Sequence, residues 1–169
     1  MKRIATPLAR SGAALVEFAV ISPVVFLVLF GTLEWCRYLM MQNVAENAVR
    51  EGARYAVCRT NIDQTQITDA NIRATVTTYL ANAGGQINNL QIYVYKVNTA
   101  GQPIDLNGNV ITQAQAIAAS NQQNWYQSAF GQGICVQITG SYTPMIASFL
   151  RESPTIPIQV TTVMYSEGN

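Results

Sequence analysis

The chain of 169 residues is 49% hydrophobic but only 11% charged, far below the quarter of charged residues usual in a soluble domain, and its size suits one domain plus an anchor. Its formal net charge of +1 hides an asymmetry, because Lys2, Arg3 and Arg10 all precede the first acid, Glu17. Front-loaded basicity is not the clustered Lys/Arg face of a nucleic-acid binder, so no nucleic-acid partner is expected, and the absence of histidine excludes Ser-His and Cys-His nucleophile pairs and His-ligated zinc.

The first predicted element is an apolar helix. Between Glu17 and Glu34 every residue is uncharged. Counted back to Ser11, the run covers about 34 Å at about 1.5 Å per residue, enough for a hydrocarbon layer about 30 Å thick. Apolar residues all round the wheel distinguish it from a core helix, which keeps a polar face. A cleaved secretory signal would end its apolar core in a small-x-small site, whereas this run ends in Phe30-Gly31-Thr32-Leu33-Glu34-Trp35. Lys2, Arg3 and Arg10 before the span place the N-terminus in the cytoplasm by the positive-inside rule and send the remainder outward.

Glu17 interrupts the apolar run. A mid-bilayer charge costs about 2.5–3.5 kcal/mol and usually has a partner. On chemistry alone it either snorkels to the cytoplasmic headgroups or serves an assembly contact. Pro23 lacks the amide that would donate to the carbonyl of Ala19, so the helix should kink or loosen there; it is either a packing detail or a hinge.

Gly12-Ala13-Ala14-Leu15-Val16-Glu17-Phe18, behind a short basic leader and ahead of a long apolar segment, resembles the processing site of type IV pilin-like proteins. With Pro23 and the closing Arg50-Glu51-Gly52-Ala53-Arg54-Tyr55-Ala56-Val57, the first third of the chain resembles the TadE-like minor pilins, or pseudopilins, of tight-adherence (Tad) pili. The resemblance implies that a membrane-embedded prepilin peptidase cuts after Gly12 and leaves Ala13 as the mature N-terminus. It also implies that Glu17, next to Phe18, sets register against the freed amine of a neighbouring subunit. Partners implied are the inner membrane, the peptidase, other pilins and pilus assembly platform proteins.

Past Glu34 the helix should continue, with Tyr38, Met41, Ala45, Ala48/Val49, Gly52 and Ala56 on one stripe and Asn43, Glu46, Asn47, Arg50, Glu51 and Arg54 mostly elsewhere. Small residues on that stripe suggest close packing against a sheet or helix. Capping-box patterns at Asp63-Gln64-Thr65-Gln66 and Thr112-Gln113-Ala114-Gln115 predict helices near 64–83 and 112–128. Leu90–Val97, Ile134–Tyr142 and Ile156–Ser166 alternate β-branched and aromatic residues and predict three strands, antiparallel, with a turn at Asn107-Gly108. Periodicity alone does not say whether Leu90, Ile92 and Val94 or the opposite set face the rod. Pro154 and Pro157 suit an edge or a strand start.

The predicted fold class is α+β: a long N-terminal transmembrane helix continuing into a small extracytoplasmic head with an antiparallel sheet, pilin-like. Its divisions are a basic leader at 1–12, a transmembrane half-helix at 13–33, an amphipathic continuation at 34–58 and a head at 59–169. The three cysteines allow three pairings; Cys58 and Cys135 could close a long loop worth about 2–4 kcal/mol, leaving Cys36 free or bridging subunits. Gly131-Gln132-Gly133 precedes a strand and reads as a turn, not a phosphate loop, and Asp63, Asp69 and Asp105 read as loop or cap residues. No enzymatic activity, cofactor or metal is expected. The expected function is that of a minor pilin or pseudopilin of a Tad-type pilus, in the bacterial inner membrane or assembled into the fibre, initiating or regulating assembly, adhesion or secretion. An uncleaved, membrane-anchored extracytoplasmic binding module is the alternative.

Overall fold

A computed structural model describes residues 8–58, 68–120, 131–145 and 155–165, together with Trp125 and Ser128. The chain is α+β: a long N-terminal helix is followed by a small three-stranded antiparallel sheet. The helix, α1 (Leu8–Val57), is continuous through Pro23 and begins upstream of Ala13. Gly12–Val57 has a mean hydropathy of 2.5 over its most apolar stretch, none of which is buried, so it is long and apolar enough to cross a membrane.

The outer half of α1 is covered by the head. Met41, Ala45, Ala48, Val49, Ala53 and Ala56 are buried there, and they repeat at the three-and-four spacing that puts side chains on one helix face. This is the expected stripe, with Ala53 added. Small side chains along it let a second helix, α2 (Asp69–Leu80), approach closely through Ile72, Val76 and Leu80. α2 is shorter than the predicted 64–83 helix, and it passes into a 3-10 segment over Ala81–Gln86. Gly84-Gly85 lies within that segment, where glycine's low helix propensity favours a break. The predicted capping box at Asp63–Gln66 lies outside the described residues.

The sheet order is β1 (Ile87–Val97), β2 (Gly133–Tyr142) and β3 (Ile156–Tyr165), all antiparallel, so the three expected strands are present. Ile92 and Val94, Ile134, Val136 and Ile138, and Ile158 and Val160 face α1 and α2. That settles the face left open by periodicity. β1 begins three residues before the expected Leu90 because a register shift between Asn88 and Gln91 resets its alternation, putting both Ile87 and Leu90 against the same core. Asn89 takes a left-handed conformation there, φ 54°, which asparagine tolerates better than most residues. β3 is an edge strand, consistent with Pro157 near its start.

On the other face of the sheet lies a smaller cluster of Tyr95, Val97, Ala116 and Cys135. It is covered by a short helix, α3 (Gln113–Ala119), whose Thr112 capping box has both arms formed. The predicted helix extended to residue 128; the observed one ends at Ala119, just before Ser120-Asn121-Gln122-Gln123-Asn124, a run containing side chains that compete for backbone hydrogen bonds. Asn107-Gly108 forms the expected turn: Gly108 has φ 84°, and the Asp105 carboxylate accepts from the amides of Asn107 and Asn109 at 2.9 and 2.8 Å. The Asn109 side chain also donates to it at 3.1 Å, and these hydrogen bonds, the side-chain one foremost, hold the Asp105 carboxyl below its ordinary value.

Candidate functional site: the exposed helix and its junction with the head

Gly12, Ala13, Glu17 and Phe18 all lie on the exposed inner half of α1, and a Cβ at Gly12 would meet nothing within 4 Å. Among the described residues nothing covers this end, so its carboxylate and its glycine are available to a partner or a bilayer. Pro23 sits six residues further along without ending the helix; the carbonyl of Ala19 is the one its missing amide leaves without the usual donor.

The best-built polar arrangement lies where the apolar half ends, and it joins α1 to the head. The Glu34 carboxylate accepts the Tyr142 hydroxyl from the end of β2 and the Met145 amide at 3.2 Å. Arg37, one turn on, pairs with Glu34 at 3.7 Å and donates to the Gln86 side chain at 3.2 Å. Trp35, Tyr38 and Tyr142 form a ladder with ring centroids 5.8 Å apart at both steps, a separation favourable for tilted aromatic pairs. Gln42 donates to the Tyr38 hydroxyl at 2.8 Å. Burial, and then the hydrogen bond to the Glu34 carboxylate, push the Tyr142 phenol up to about 12, so it stays protonated and donating. The junction thus orients the head about α1 at the level where the apolar span stops.

In the sequence Glu34 stands only as the polar close of the span and Tyr142 only as the end of a strand. The partners are 108 residues apart, and no local period links them. The available signal was a carboxylate flanked by Leu33 and Trp35, a setting in which an acid tends to have a partner.

Cys36, Cys58 and Cys135 are all free thiols. Cys58 follows α1, whereas Cys135 belongs to the cluster on the opposite face of the sheet. The Cys58–Cys135 bridge is not formed in the structure. Burial pushes the Cys135 thiol up to about 11. Among the described residues, no three His, Cys, Asp or Glu side chains are grouped to hold a metal ion.

Residues 12–54 match the family model described as TadE-like protein. The match spans Gly12, Glu17, Pro23, the Glu34 and Arg37 side of the junction and most of the buried stripe, and it ends before α2. No curated protein and no solved structure matches the chain. The head's half of the junction, Tyr142 and Met145, therefore lies outside the matched region.

Proposed function

We propose that the chain is a membrane-anchored, Tad pilus-associated protein acting as a minor pilin or pseudopilin, with a structural rather than catalytic task. One observation carries this reading. The stretch that matches the TadE-like family model is also an apolar helix left bare by its own fold, with a glycine and a carboxylate five residues apart at its inner end.

In this reading the basic leader holds the N-terminus in the cytoplasm until a prepilin peptidase cuts after Gly12, freeing an ammonium on Ala13. Gly12 costs about 1 kcal/mol of helix propensity relative to alanine, so α1 is easier to open at the bond to be cut than it would be with alanine there. In a poorly solvated setting the ammonium attracts the Glu17 carboxylate of an adjacent subunit more strongly than it would in water, fixing axial register. The head projects beyond the outer face of the inner membrane, and α1 leaves the bilayer on assembly, loosened at Pro23.

N-terminal sequencing and intact-mass measurement of the protein recovered from producing cells test the reading. Ala13 is the expected first residue. A functional product that keeps its first twelve residues would instead identify an uncleaved anchored binding module. Glu17→Ala should insert normally yet abolish assembly; unchanged pilus production by that variant would remove the proposed register contact.

A further inference from the structure

The apolar surface of α1 does not stop where the span stops. Ala13–Leu33 already accounts for about 31 Å, a full hydrocarbon thickness. Yet beyond it Trp35, Leu39 and Met40 remain exposed, Trp35 at 61% and Met40 at 65%. From Asn43 the exposed surface of α1 turns polar, through Glu46, Asn47 and Arg50, all exposed. On the head side, at the level of Glu34, stands Met145, 64% exposed, its backbone tied to the Glu34 carboxylate. Apolar side chains therefore ring the molecule within about 10 Å of the end of the span, and the two charges within the ring, Glu34 and Arg37, are paired with each other.

We propose that this ring is a lipid-docking collar, through which the head rests on the headgroup layer of the outer leaflet instead of standing clear of it. The inference rests on the membrane-anchored reading above and adds a second, head-borne contact with lipid. Its occupant follows from continuity, since the collar begins at Trp35, two residues beyond the end of the bare apolar span. Dimensions agree. The interfacial layer is about 5–8 Å deep on each side, and Trp35 is about 3 Å and Leu39 about 9 Å beyond Leu33 along the axis. Trp35 is suited to this depth, being apolar in body with one N–H to hydrogen-bond at the wet edge. The junction of Glu34 with Tyr142 and the aromatic ladder hold Met145 at the same level.

The test uses the full chain in phosphatidylcholine/phosphatidylglycerol vesicles, with an environment-sensitive fluorophore on one added cysteine in a Cys36→Ser, Cys58→Ser background that keeps the buried Cys135. Labels go at Leu39→Cys and Met145→Cys in the collar, at Val25→Cys within the span, and at Val110→Cys, beyond the opposite end of the sheet. We expect headgroup-nitroxide lipid to quench the Leu39 and Met145 labels, and aqueous iodide to quench them several-fold less than the Val110 label. A Met145 label as open to iodide as the Val110 label, with Leu39 still quenched by lipid, would overturn the resting of the head on the bilayer. Iodide access at Leu39 as well, with Val25 quenched by acyl-chain nitroxide, would overturn the whole collar while sparing the anchor. A Val25 label untouched by lipid quenchers would overturn the membrane reading and the collar together.

Discussion

Gly52 shows how one residue can be worse for its helix and better for its fold. Alanine there would favour the helix by about 1 kcal/mol, but its Cβ would fall against the Val76 side chain of α2 and within 3.6 and 3.7 Å of Val136 and Ile72. Val76 is buried and β-branched, so it has little room to turn away. Gly52→Ala should therefore destabilise the head by about 1–3 kcal/mol as an overpacked core does, read as a lower denaturation midpoint. A gain in stability would mean that α1 and α2 are further apart than described. At Tyr142 the residue-scale effect is electrostatic. Its folded-state value, pushed up to about 12, lies above the ordinary phenol value of about 10, so the protonated form is the one the fold favours. Its stabilising contribution is fully present below about pH 10 and is lost as pH rises through about 12. Melting temperature followed against pH should fall less steeply across that window in Tyr142→Phe than in the wild type, although the variant begins lower because Glu34 has lost a donor.

Among the elements, α1 carries two environments on one continuous helix. Its inner half meets no part of the head, and its outer half is stabilised by packing on α2 and the sheet, which contributes more to most helices than propensity does. α3 is the opposite case. With seven residues it is too short to stand alone, and it depends on its cap and on Ala116 packing over Tyr95, Val97 and Cys135. Thr112→Ala should cost about 1 kcal/mol, and amide exchange should rise over 113–119 while β1 and β2 stay protected. Uniform loss of protection across the sheet would show that α3 is not a local unit.

For the whole molecule, the sheet acts as a wall between two compartments. Cys36 and Cys58 are exposed on the helix side, and Cys135 is buried on the other. Thiol reagents should modify Cys36 and Cys58 in the native protein and reach Cys135 only after unfolding, because burial both blocks access and keeps its sulfur protonated. Peptide mapping of the modified protein checks this. Modification of Cys135 as fast as Cys58 under native conditions would show that the cover formed by α3 opens readily.

The bare span, the buried stripe of α1, the three strands and the Thr112 cap were legible in the sequence, because each is written in neighbouring residues: unbroken apolarity, a period of 3.6, a period of 2, or a four-residue capping pattern. The glycine and carboxylate at Gly12 and Glu17 were legible for the same reason. The face of the sheet toward α1, the shift at Asn88–Gln91, the placing of Cys135 under α3 and the tie from Glu34 to Tyr142 were decided only by the tertiary structure. These depend on which distant segments become neighbours, and an alternating strand has the same period whichever face it buries. Sequence could put an acid at the end of the span, but only the folded head brought it a phenol.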